Sequence, residues 1–218
     1  MQIPAGEVVL AGDLEVPERP PERPLGVVVF AHGSGSSRFS PRNRQVAAAL
    51  QQQGLATLLL DLLSDAEGVI DERTRELRFD IGLLADRLVA ARDWLAGPDV
   101  VAAVADLPVG YFGASTGAAA ALVACARQPG RIAAVVSRGG RPDLAGTALR
   151  GVDAPTLLLV GGLDDVVIGM NQDAAAQLDV EHRLEIVPGA THLFEEPGTL
   201  EVVAAHAAGW FRSHFGGA

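Results

Sequence analysis

From Leu25 onward the chain alternates short, strand-like apolar runs with segments in which apolar positions recur every three or four residues. The runs are LGVVVFA (25–31), LATLLLD (55–61), LPVGYFG (107–113), RIAAVVS (131–137), TLLLVGG (156–162) and HRLEIV (182–187). The first is a continuous apolar run, the pattern of a strand covered on both faces, and all six predict strands of a mainly parallel sheet. Between the first two, Ser40-Pro41 supplies an N-cap and a favourable first position for a helix that Gly54 can end. Leu77, Ile81, Leu84, Leu88, Ala91 and Leu95 form one apolar helical stripe, stopped by Gly97-Pro98. An alanine-rich helix over about 116–128 and a closing helix over Leu200–His214 complete the pattern.

Strands and helices alternating at these lengths predict an α/β fold of about seven strands, helices on both faces and no large lid, with the site at the carboxyl ends of the strands. A leading strand over about 7–16 precedes it, joined by PERPPERP at 17–24, where prolines remove donors and favour an extended spacer. No later boundary is visible, and 218 residues suit a single domain, 1–218.

Composition narrows the chemistry. Hydrophobic residues at 49% and charged residues at 20% describe a globular chain. All 17 basic residues are arginine, which excludes a P-loop lysine, a Schiff base and a Ser-x-x-Lys pair. A net charge of -10 opposes phosphate backbones and anionic lipid, so neither nucleic acid nor membrane is an expected partner. The single cysteine, Cys125, can make no intramolecular disulfide and no multi-cysteine zinc site. Glu7 and Asp13 interrupt the N-terminal apolar residues, unlike a signal peptide, and a soluble cytoplasmic protein is expected.

Gly113-Ala114-Ser115-Thr116-Gly117 fits Gly-x-Ser-x-Gly between a predicted strand and a predicted helix. Glycines flank the serine where a tight turn leaves no room for side chains and exposes the hydroxyl. A serine needs a base to take its proton and a third group to orient that base. Asp164 follows the strand TLLLVGG and His192 follows HRLEIV, giving the order Ser, Asp, His. Asp164 is preferred to Asp165, which is expected to cap the next helix, and Glu195 and Glu196 are expected to serve the N-terminus of the last helix. His182, His206 and His214 fall on a strand start and the closing helix, and His32 is expected to shape the loop after 25–31. The backbone N–H groups of Ser34 and Thr116 are the candidate oxyanion donors. A phosphate-cradling role for the glycine-rich loop finds no Gly-x-Gly-x-x-Gly and no lysine, and no metal or cofactor is implied.

HGSGSSRFSPRNR (32–44), GYFGAST (110–116), SRGGRPDLAG (137–146), GGLDDVV (161–167) and IVPGATHLFEEP (186–197) resemble the α/β-hydrolase superfamily, in particular its dienelactone-hydrolase-like branch, over nearly the whole of Leu25–Phe215. The resemblance implies a serine carboxylester hydrolase with nucleophile Ser115, acid Asp164 and base His192. The pattern departs from authentic dienelactone hydrolases, whose nucleophile is cysteine; Cys125 lies ten residues on, within LVACARQ, where a small buried hydrophobe is expected. Relatives of this type also resemble the hydrolase half of proteins fused to a phosphoribosyltransferase-like domain, which implies a separate or lost partner.

A small-molecule, short-chain ester is the expected substrate. A thioesterase, lactonase, amidase, perhydrolase or dienelactone-type enzyme would use the same residues, and a non-catalytic binding module is the alternative of a different class. Arg38 and Arg42 fall in the loop after 25–31 and Arg138 and Arg141 after 131–137, all at the edge carrying Ser115. Arg38, Arg138 and Arg141 are therefore candidates for binding a substrate carboxylate, against the alternative that they pair with carboxylates such as Asp143.

Overall fold

The runs at 25–31, 55–61, 107–113, 131–137 and 156–162 fold as inner strands covered on both faces, while the run at 182–187 forms a half-exposed edge strand. The computed structural model describes residues 1–17, 23–98 and 100–216; most of the proline-rich connection at 17–24 therefore lies outside the described residues. Along the chain come β1 (Gln2–Ala5), β2 (Val8–Glu15), β3 (Val27–Ala31), α1 (Pro41–Gln52), β4 (Ala56–Leu60), α2 (Asp65–Thr74), α3 (Ile81–Leu95), β5 (Val109–Ala114), α4 (Thr116–Arg127), β6 (Ala134–Arg138), β7 (Thr156–Gly161), α5 (Asp165–Ala175), β8 (His182–Val187) and α6 (Thr199–Phe215). Short 3₁₀ segments lie at Leu77–Phe79 and Pro142–Gly151.

The strands form one eight-stranded sheet in the order β1-β2-β4-β3-β5-β6-β7-β8. Every pair from β4 through β8 is parallel, while β2 joins β4 antiparallel and forms a hairpin with β1. The leading segment is thus two strands where one was expected, and the sheet has eight where about seven were expected. β4 and β5 flank β3 on opposite sides, so the strand order reverses there and opens a crevice at the carboxyl ends.

Two apolar layers sandwich the sheet. Val46, Leu50 and the α6 residues Leu200, Val203 and Phe211 pack on one face, and Leu84, Leu88 and Leu122 of α3 and α4 pack on the other. Burying each such leucine or phenylalanine contributes about 1.5–3 kcal/mol. Ser40 caps α1 by accepting from Asn43 N–H at 3.4 Å. Leu77 leaves the expected helix: Asp80 caps α3 at the Leu83 N–H, so the stripe begins at Ile81. Among the described residues no helix is long and apolar enough to cross a membrane.

Candidate active site

Ser115 sits between β5 and α4 with φ 51° and ψ −121°, a conformation unfavourable for a residue with a side chain. Three backbone hydrogen bonds hold it there. Its N–H donates to Arg138 O at 3.2 Å, and its carbonyl accepts from Ala118 and Arg141, each at 3.1 Å. The flanking glycines have steric causes: a Cβ on Gly113 would strike the Ala118 backbone, and one on Gly117 would strike the carbonyl oxygens of Ala31 and His32. α4 can approach β3 only through a glycine, and that approach lifts Ser115 to the sheet edge.

Asp164 follows β7 and His192 follows β8, and the structure brings them together: the Asp164 Oδ2 to His192 Nδ1 distance is 2.7 Å. A carboxylate facing Nδ1 selects the tautomer that donates there and leaves Nε2 as an acceptor. Contrary to the expectation that Asp165 caps α5, it is the first residue of that helix and not its cap. Asp164 stands at the N-cap, makes no capping bond, and turns its carboxylate to the histidine instead. Arg138, whose carbonyl accepts the Ser115 N–H, precedes Gly139, and a Cβ on Gly139 would lie 2.9 Å from His192 O and 3.6 Å from Nδ1. Ser115, Asp164 and His192 therefore follow the carboxyl ends of β5, β7 and β8, with the end of β6 between the first two. Among the described residues the Ser115 hydroxyl makes no hydrogen bond; in ligand-free enzymes such bonds are often long and tighten on binding substrate.

The His192 segment is strapped by two carboxylates that sequence reasoning had sent to the N-terminus of α6. Glu196 accepts from Thr191 N–H at 3.0 Å and from its hydroxyl at 2.6 Å, and these bonds hold its carboxyl below the usual glutamate range. Glu195 pairs with Arg42 at 3.0 Å. Only the Glu196 carbonyl serves the helix start, accepting from Thr199.

On the other side of Ser115, His32 shapes the loop after β3. Its Nδ1 lies 3.0 Å from Gly33 O and its Nε2 accepts the Leu62 N–H at 3.1 Å, a pattern that needs the neutral ring. Burial lowers its pKa, outweighing the Gly33 bond and the Asp61 charge. A Cβ on Gly33 would sit 3.2 Å from Ser115 Cβ, which places this loop against the candidate nucleophile. Neither the Ser34 nor the Thr116 amide donates a hydrogen bond among the described residues, and both residues line a cavity of about 350 Å³. Its far wall is α2, with Ser64, Asp65, Val69 and Glu72. Sequence reasoning missed α2, although Ser64 and Glu67 form a reciprocal capping box readable as Ser-x-x-Glu.

The arginines divide. Arg38 donates its N–H to Asp61 Oδ1 at 2.7 Å, its guanidinium binds Asp61 Oδ2, and its Nε lies 3.4 Å from Asp13. Arg141 holds Asp143 through two bonds of 2.9 and 2.7 Å, which raise the arginine's pKa and lower the aspartate's. These two guanidinium groups are engaged by the chain's own carboxylates, the structural alternative to substrate binding. Arg138 is buried and pairs with none among the described residues. Cys125 lies within α4, where burial pushes its thiol up to about 11, far from a reactive thiolate. Among the described residues no three His, Cys, Asp or Glu side chains cluster as metal ligands.

Comparison with known proteins agrees with this architecture. Two strains of Mycobacterium tuberculosis have a provisionally named phosphoribosyl transferase that is 58% identical over all 218 residues. This chain spans about half, 46%, of the length of those relatives. A dienelactone hydrolase from Anabaena variabilis is 58% identical in sequence and superposes with a TM-score of 0.92, covering 98% of this chain and 96% of that one. A lidless α/β serine hydrolase from Xanthomonas campestris, 19% identical, shares the fold at a TM-score of 0.77 over 100% of this chain and 95% of its own. The model of the dienelactone hydrolase family matches residues 10–214, and the chain belongs to that family of α/β hydrolases.

Proposed function

We propose that the protein is a carboxylester hydrolase acting on small, short-chain esters through an acyl-enzyme, with Ser115 as nucleophile, His192 as base and Asp164 orienting it. The observation that carries this reading is the 2.7 Å Asp164–His192 pair beside a serine held at φ 51°. Ser115 Oγ attacks the ester carbonyl as its proton passes to His192 Nε2, and the carbonyl electrons become an oxyanion facing the Ser34 and Thr116 amides. Collapse breaks the C–O bond, and the alcohol leaves with the proton from His192. Water, deprotonated by the same nitrogen, then releases the acid and restores the serine. Asp164 stays ionised and stabilises the imidazolium formed in each half-reaction.

The cavity of about 350 Å³ is near the lower limit of small-molecule sites, which supports a small substrate. The transferase name goes with relatives about twice as long, and this proposal concerns the hydrolase fold alone. A series of p-nitrophenyl esters tests it. Acetyl to hexanoyl esters should be cleaved with a burst of one equivalent of nitrophenol, and dodecanoyl esters poorly; a preference for chains beyond twelve carbons, or no cleavage, contradicts it.

A further inference from the structure

The two edges of the sheet are finished differently. β1 has four residues with Pro4 among them, a short strand of the kind that discourages further pairing. β8, at the other edge, has six residues, no proline, and an unbroken register with β7 from His182 to Val187. Thr156 N–H donates to Glu181 O and Gly162 N–H to Val187 O, so the odd-numbered residues of β8 turn their backbone groups toward β7. His182, Leu184 and Ile186 turn theirs outward, and among the described residues nothing bonds to them there. Nor is the edge covered: His182, Arg183 and Ile186 are exposed, and a groove of about 740 Å³ lined by Leu157, Arg183, Gly209 and Trp210 lies open beside the strand on the α6 face.

An open edge is a template for another strand, and β8 is complementary to itself. Arg183 and Glu185 lie on the α6 face, where they pair with each other, while Leu184 packs into the opposite layer. Outward backbone groups can bond only to outward ones, so an antiparallel second copy must set even-numbered residues against even-numbered ones. With a two-fold axis at Leu184, that residue faces its own copy and His182 faces the partner's Ile186, each pair exchanging N–H···O=C bonds. Arg183 then stands opposite the partner's Glu185. Moving the axis by one residue either way sets arginine against arginine or glutamate against glutamate, so charge selects the Leu184 register. We propose that two copies of this chain pair through β8 in that register and form one continuous sheet across a two-fold axis. A strand pair alone falls short of the roughly 1,200 Å² that a stable dimer buries, and the groove wall with the half-buried Trp210 supplies further surface. The paired strands are antiparallel, so the two Ser115 sites lie on opposite edges of the joined sheet and stay open.

Sedimentation equilibrium of the wild-type chain from low to high micromolar concentration tests this without any catalytic readout, so dimer and hydrolase can fail separately. The weight-average mass should rise from 22.6 kDa toward twice that value. Glu185→Arg sets arginines opposite each other at both symmetric positions and should weaken the dimer about tenfold or more, as should Arg183→Glu, which opposes carboxylates. Combining Arg183→Glu with Glu185→Arg restores opposite charges and should return the dissociation constant to within about threefold of wild type. Leu184→Pro removes the N–H at the axis and should abolish association, with circular dichroism reporting the fold of the monomer; if that variant does not fold, the charge exchange decides. A monomer at every concentration overturns the proposal and leaves the edge to a different partner. A dimer indifferent to both single exchanges overturns it too, as does one that the single exchanges weaken and the double exchange fails to restore.

Discussion

Arg38 and Arg138 both lie just beyond or at the carboxyl end of a central parallel strand, yet one is neutralised and the other is not. Arg38 reaches Asp61, the residue after β4, and Asp13 of β2, so its charge is spent within the fold. Arg138 has Ala114 and Leu159 as its register partners on β5 and β7, and neither brings a carboxylate. Proximity to the candidate nucleophile therefore does not decide whether an arginine is paired within the fold. The residues ending the neighbouring strands decide it. The β3–α1 loop pairs its Arg38 charge within the fold, whereas Arg138 is buried at the end of β6 with no carboxylate partner among the described residues.

Disabling the chemistry common to both regions gives the largest effect. Ser115→Ala should lose three or more orders of magnitude in kcat, and Asp164→Asn, which presents Nδ1 with the wrong partner, roughly 10³–10⁴-fold, both measured in steady state on p-nitrophenyl acetate. Gly117→Ala drives a Cβ into the Ala31 and His32 carbonyl oxygens, which should cost about 1–3 kcal/mol. At about 2–4 °C per kcal/mol for a chain of this size, that is a drop of several degrees in Tm by calorimetry.

Arg38→Met should test the paired side of this comparison. Removing one partner leaves Asp61 partly buried without its cation, a loss of about 1–3 kcal/mol readable by urea unfolding. The smallest effect concerns pH. The folded state lowers the His32 pKa from 6.5, so the unfolded chain takes up a proton first as pH falls. The stability contributed by the neutral ring is complete above that value and is lost as pH drops below it toward the folded-state pKa. The Tm should decline on acidification through this range, and His32→Gln should flatten part of the decline.

The sheet was legible in the sequence because strands covered on both faces are mostly apolar: β3, β4 and β7 fall within their runs, and β5 and β6 pass the ends of theirs by one residue, Ala114 and Arg138. β1 was not legible. It has four residues, one of them proline, at the sheet edge, where neither alternation nor a long run can mark it. α2 has a single buried residue, Asp71, so it presents no apolar stripe and only its capping box announces it. Ser115, Asp164 and His192 were readable as residues following strands, because a parallel sheet delivers all such residues to one edge. The charge balance was not. Whether Arg38 or Arg138 finds a carboxylate depends on cross-strand register, which no local pattern encodes, and Glu196 turns back to Thr191 through a segment that includes Phe194 at φ 56°.

The central claim is that Ser115 is an activated nucleophile, and covalent capture tests it most directly. Wild-type protein should be treated with a fluorophosphonate and the adducted peptide sequenced by mass spectrometry. One equivalent of phosphonate on Ser115, abolished in His192→Ala although the serine is still present, is the predicted result. Labelling of another residue, or labelling of Ser115 that is indifferent to His192, would contradict it.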